Sequence, residues 1–130
     1  MPDELRLAFL GFGNGGRALA RLLESKRAAL ETDHGMRIRV VGIGTGRHGS
    51  IIRPEGIAML QAINAGEAGR PVSSPGTSGP TDSLAFLQAL EADALLESIP
   101  VNYQTGQPAL GFIEGALQRG MHVISANKGP

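Results

Sequence analysis

Apolar and polar positions along the chain follow two rhythms that trade places. Residues 5–10 begin with alternation and then run apolar (Leu5, Leu7, Ala8, Phe9, Leu10), which predicts a buried strand. A glycine-rich stretch follows. The period then changes to that of a helix, with Ala18, Leu19, Leu22, Leu23 and Leu30 assigned to one face and Arg17, Arg21, Glu24 and Lys26 elsewhere. Thr32, Asp33, His34 and Gly35 end that helix. Residues 38–43, rich in β-branched side chains, predict a second strand, and residues 44–49 a loop. Pro54 suits the first turn of a helix continued by Ile57, Leu60 and Ile63 and closed at Gly66.

Residues 69–83 hold Gly, Pro, Ser and Thr without an apolar run, and predict a flexible surface loop. Asp82 or Ser83 then caps a short helix carrying Leu84, Leu87 and Leu90. Residues 92–99 predict a third strand. Thr105, Gly106, Gln107 and Pro108 open a helix with Leu110, Ile113 and Leu117 on its face, stopped by Gly120, and residues 121–126 a last strand. Alternating strands and helices imply a single α/β domain over residues 1–130: a doubly wound, Rossmann-type parallel sheet with helices on both faces.

Composition narrows the chemistry. The 42% hydrophobic content can build a core, and with 4% aromatic residues and no Trp that core is aliphatic. Twelve basic and twelve acidic residues cancel, so neither nucleic acid nor an anionic membrane is an expected partner. Absence of Cys excludes disulfides, thiolate metal sites and a Cys nucleophile. His34, His48 and His122 are dispersed without ligand spacing, so no metal site is expected. No apolar run has the length of a membrane span and the N-terminus is acidic, so the expectation is a soluble, cytoplasmic chain.

Gly11, Phe12, Gly13, Asn14, Gly15 and Gly16 fit G-x-G-x-x-G directly after a strand and at the opening of a helix. In that setting Gly11 permits the tight turn, Gly13 lets backbone approach a diphosphate, and Gly16 allows close helix–strand packing. Free N–H groups and the positive end of the helix dipole bind the anion. A glycine-rich turn without ligand is the alternative. NAD-specific sites place an acid after the second strand, but here Gly44, Thr45 and Gly46 are followed by Arg47 and His48, with no carboxylate before Glu55. Arg47 can grip a 2′-phosphate, which favours NADP while leaving NAD possible; otherwise it is a solvated loop residue.

Four further residues stand where the crevice of such a sheet would lie. Ser98 and Asn102 flank Pro100 after the third strand and can hydrogen-bond nicotinamide ribose or amide, or simply form a turn. Glu97 is a carboxyl group in an apolar strand, so it needs a partner or solvent. Lys128, after the last strand, can orient a carbonyl substrate or shuttle a proton; a solvated lysine is the bland reading.

Several segments together resemble the N-terminal region of homoserine dehydrogenases: residues 11–17 (GFGNGGR), 39–49 (RVVGIGTGRHG), 97–102 (ESIPVN), Thr105-Gly106, Pro108-Ala109, and 120–130 (GMHVISANKGP). The resemblance spans nearly the whole chain except the loop 69–83. It implies NAD(P)-dependent interconversion of L-homoserine and L-aspartate 4-semialdehyde, on the route to threonine, methionine and isoleucine, by an enzyme expected to be a homodimer at full length. By that likeness residues 11–16 cradle the diphosphate, Arg47 meets the 2′-phosphate, and Lys128 is the catalytic-site lysine where nicotinamide meets substrate. The family's remaining substrate groups belong to a following domain, so this chain alone is expected to be inactive. Gly15 in place of an apolar residue, Ile99 for Thr and Ser125 for Thr depart from the family pattern. The rival readings are the nucleotide-binding half of another amino-acid dehydrogenase, such as one acting on aspartate, and a non-catalytic dinucleotide-binding module.

Overall fold

The structure, a computed structural model, describes residues 3–45, 49–69, 83–99 and 104–126. Five strands form one sheet in the order β3-β2-β1-β4-β5. The strands are β1 (Asp3–Leu10), β2 (Met36–Gly44), β3 (Ser50–Ile52), β4 (Ala94–Glu97) and β5 (His122–Ser125); the helices are α1 (Asn14–His34), α2 (Met59–Glu67), α3 (Ser83–Ala89) and α4 (Ala109–Gln118). β1 lies between β2 and β4, parallel to both, and its last four residues are buried. Such central position explains why that stretch reads as an unbroken apolar run: both of its faces are covered.

Helices cover both faces, as expected. α1 and α2 enclose a core with Leu7, Phe9, Phe12, Val40, Ile43 and Leu96, while α3 and α4 enclose one with Ala8, Leu10, Val41, Leu95 and Met121. The second core has a feature invisible in the periodicity. A Cβ on Gly42 would lie 2.5 Å from Leu90 Cδ1 and 3.1 Å from Phe86 Cζ, and one on Gly44 3.1 Å from the same ring. Two glycines in β2 therefore form a flat bed for Phe86, which is fully buried. Truncating such a ring to Ala costs about 3–5 kcal/mol.

Two expectations for the region after β2 are corrected. The sheet is not wholly parallel: β3 runs antiparallel to β2, with Gly44 opposite Ser50 and Gly42 opposite Ile52. The connection from β2 is short enough to fold back, held by Thr45 N–H and Oγ1 donating to Gly49 O at 3.1 and 2.7 Å. Pro54 consequently lies in a turn closed by Gly56 N–H to Arg53 O at 2.9 Å, and α2 starts five residues later.

The assigned helix faces shift as well. Leu22, Leu60, Leu84 and Leu117 are exposed, whereas the expected Ile63, Leu87 and Leu90 are buried, together with Gly16, Ala20, Met59, Ala62, Phe86, Ala109 and Ala116. α1 and α4 thus bury small residues, whereas α2 and α3 bury large ones as well. Gly66 lies within α2, and α4 begins at Ala109, after Gln107 and Pro108. α1 does end at Gly35, which adopts φ 62° and donates to Leu30 O. Asp82 and most of the loop 69–83 lie outside the described residues. No helix among the described residues is long and apolar enough to cross a membrane.

Candidate functional site

The parallel strands deliver their carboxyl ends to one edge of the sheet, where β1 hands the chain to α1 through the glycine turn. Gly11 has φ 95°, a region that L side chains rarely adopt, and a Cβ there would meet Ser98 C at 2.9 Å and Ile99 N at 3.0 Å. Both backbone freedom and space demand glycine. Gly13, the N-cap of α1, is extended at φ −79°, and a Cβ on it would meet nothing within 4 Å. Gly16 packs under the turn, 3.0 Å from Gly11 O to where its Cβ would be. The three glycines thus divide into one that turns, one that faces open space, and one that lets helix approach strand.

Hydrogen bonds hold this turn from both sides. Gly11 N–H donates to Gly44 O at 2.8 Å, tying it to the end of β2; Ser98 N–H donates to Leu10 O at 2.9 Å, tying it to the exit of β4. Ser98 Oγ reaches Gly11 O at 3.4 Å, a long bond. Beyond Ser98, Glu97 is 1% exposed, with Oε2 accepting Ile99 N–H at 2.9 Å and Oε1 accepting Ser125 Oγ–H at 2.7 Å. The sequence requires a partner for this carboxyl group; the described residues supply Ser125 on β5 and the backbone at the strand's own exit.

Arg17, which the sequence reads as a charged helix position, stands at the turn. Its guanidinium donates to Phe12 O at 2.8 Å and to Asn14 Oδ1 at 2.9 Å, and its stem lies over Gly66 of α2. It braces the turn and puts a cation beside the helix start. The signal that could have found it is its place immediately after the third motif glycine, one turn up from Gly13.

Among the expected site residues, the structure brings Gly11, Phe12, Gly13, Asn14, Gly15, Gly16 and Ser98 to one edge. Arg47, Asn102 and Lys128 lie outside the described residues. Glu55, the first carboxylate after β2, is carried away from that edge by antiparallel β3: Arg53 N–H bonds Val41 O and Ile57 N–H bonds Val40 O. There Glu55 pairs with Arg53 at 3.1 Å, and its pKa is lowered by a backbone hydrogen bond and by that arginine. At the opposite end of the sheet, Arg6 holds Asp93 below the ordinary carboxyl range, chiefly by a side-chain hydrogen bond. Among the described residues no three His or acidic side chains gather as a metal cluster.

The turn fits a dinucleotide diphosphate. No side chain caps α1 and no acid stands in its first turn, so the positive helix end is not neutralised locally. Gly13 and Gly15 leave open the space through which a phosphate would approach those N–H groups.

No family model matches the chain. Over 98% of its length it is 35% identical to an NAD(+)-dependent homoserine dehydrogenase of Pseudomonas canavaninivorans, and over 95% it is 31% identical to a homoserine dehydrogenase of Methanocaldococcus jannaschii. It spans 36% and 37% of those relatives, about a third of their length. Among solved structures, a hyperthermophilic archaeal homoserine dehydrogenase mutant in complex with NADPH superimposes with a TM-score of 0.75, at 23% identity, covering 98% of this chain and 37% of that one. A homoserine dehydrogenase of S. aureus gives 0.67 at 20% identity, covering 98% and 27%. The fold is therefore of the Rossmann type, and the chain is homologous over nearly all its length to part of homoserine dehydrogenases.

Proposed function

We propose that this chain is the dinucleotide-binding part of an NAD(P)-dependent homoserine dehydrogenase, with the cofactor diphosphate on the turn formed by residues 11–16. The observation that carries this reading is the glycine turn itself, held between β2 and β4 and opening onto an uncapped helix of 21 residues. A bound nicotinamide would supply the hydride acceptor or donor. The chain's own groups bind and orient: Gly13, Gly15 and the α1 N–H groups take the diphosphate, and Arg17 keeps Phe12 and Asn14 in place beside it. Ser98, at the exit of β4, and Asn102 are the groups assigned to the nicotinamide ribose or amide. Arg47 grips a 2′-phosphate, and Lys128 orients the carbonyl of the substrate, L-aspartate 4-semialdehyde or, in reverse, L-homoserine.

This reading places the remaining substrate groups in the portion of the relatives that the chain does not match, and assigns a cytoplasmic, homodimeric enzyme as the whole. The relative at 35% identity is NAD(+)-dependent and the superimposing structure holds NADPH, so cofactor choice needs measurement. Calorimetric titration with NADPH and separately NADH tests the proposal. We expect tighter binding of NADPH, weakened by Arg47→Ala with NADH binding unchanged. Equal response of both cofactors to that change would remove the 2′-phosphate role, and no binding of either would overturn the reading. Homoserine-dependent NADP reduction by this chain alone is expected to be slight.

A further inference from the structure

We infer that Glu97 is a positioning residue for the glycine turn: it fixes the Ser98–Ile99 peptide on which Gly11 rests. The inference builds on the dinucleotide reading and adds a residue that touches neither cofactor nor substrate.

A buried carboxyl group is a poor way to stabilise a strand. β4 is otherwise Ala94, Leu95 and Leu96, all buried, and a well-packed apolar side chain at position 97 would serve burial as well or better. What an apolar residue cannot do is accept two hydrogen bonds in different directions. Glu97 Oε1 takes Ser125 Oγ–H at 2.7 Å and Oε2 takes Ile99 N–H at 2.9 Å, while Glu97 O takes Ala126 N–H at 3.0 Å. The side chain thus anchors the peptide just after β4 to the end of β5.

That peptide is the surface against which Gly11 lies. The Cβ position of Gly11 falls 2.9 Å from Ser98 C and 3.0 Å from both Ser98 O and Ile99 N. No room for a side chain separates Gly11 from that peptide, so a shift of the Ser98–Ile99 peptide toward or away from it displaces the turn. Gly11 is in turn bonded to Gly44 O at 2.8 Å, and its carbonyl sits over Gly16. A continuous run of contacts leads from Ser125 through Glu97, Ile99, Ser98 and Gly11 to the start of α1.

Glu97→Met is the decisive variant, because it keeps side-chain volume and burial but removes both acceptors. Glu97→Gln keeps an acceptor for Ile99 N–H and offers its amide to Ser125 Oγ. NADPH and NADH affinity is read by fluorescence titration, and amide hydrogen exchange of the ligand-free chain is read at Gly11, bonded to Gly44 O, and at Asp93, bonded to Arg6 O at the far end of the sheet. We expect Glu97→Met to lose about tenfold or more in NADPH affinity and to exchange faster at Gly11 but not at Asp93, with Glu97→Gln restoring most of both. Wild-type affinity and wild-type Gly11 exchange in Glu97→Met would overturn the positioning role. So would equal acceleration at Gly11 and Asp93, which would make Glu97 a general stabiliser. Failure of the unmodified chain to bind either cofactor would sink the dinucleotide reading instead, and Gly11 exchange would still decide whether Glu97 sets the turn.

Discussion

The two ends of the parallel strands are built from different chemistry. At the amino-terminal end, charged side chains pair with one another: Arg6 with Asp93 at 3.0 Å, and Arg37 with Glu31 at 3.0 Å. Arg39 Nε lies 2.9 Å from Glu4 Oε1, a charge contact without hydrogen-bond geometry. At the carboxyl-terminal end the joints are backbone bonds, from Gly11 to Gly44, Ser98 to Leu10 and Ala126 to Glu97, with one buried carboxyl group across β4 and β5. The amino end satisfies its charges internally, whereas the carboxyl end opens the start of α1 to the outside. A sheet can be stapled equally well by either means, but only the second leaves donors for an anionic ligand.

Substitutions at the two ends should separate these roles. Gly11→Ala should have the largest effect, because it forces a side chain into φ 95° and into the Ser98 backbone. We expect roughly 2–5 kcal/mol of lost stability in urea melts, with loss of cofactor binding. Retention of wild-type stability would mean that the turn tolerates a shift the geometry forbids. Gly13→Ala should come next and behave differently. Its backbone is already in a region open to L residues and its Cβ meets nothing, so melting should change by only about 0.5–1 kcal/mol while NADPH affinity falls about tenfold or more. Unchanged affinity would move the diphosphate away from Gly13.

Asp93→Asn should be the smallest and should act through pH. The folded-state pKa of Asp93 lies below its ordinary value of 3.8, first because of its side-chain hydrogen bond to Arg6. The unfolded chain therefore takes up a proton more readily, and the stabilisation is complete above the unfolded pKa and lost as pH falls through the folded one. Wild type should melt slightly above Asp93→Asn at pH values over about 5, with the gap closing toward acid and shrinking in salt. Both side chains are more than a third exposed, so the gap is small. Cofactor affinity should not change; a change would mean that the two ends of the sheet are coupled.

Much of this was legible in the order of residues, because local rules decide it. Apolar runs mark β1, β2 and β5, a helical period marks α1, and the G-x-G-x-x-G string between a strand and a helix identifies the turn. The errors share a cause. Periodicity rewards large apolar residues and so places Leu22, Leu60 and Leu117 on buried faces, yet these are exposed and Ala20, Ala62 and Ala116 are buried. Ile124 shows the same limit in a strand. It alternates correctly with Val123, but β5 is the edge of the sheet and Ile124 is 60% exposed.

By itself, then, the sequence determined the kind and order of every described element but β3, and the three glycines whose spacing makes a turn for backbone to meet an anion. Only the tertiary structure decided that β1 is central, that β3 folds back and carries Glu55 away, and that Phe86 beds on Gly42 and Gly44. It also decided that Glu97 joins Ser125 to Ile99. The reason is distance along the chain. Helical and strand periods, and a six-residue turn, are set by neighbours within a few residues. Strand order and the partner of a buried carboxyl group depend on residues dozens of positions apart, such as 97 and 125, and on contacts that exist only once both cores have closed.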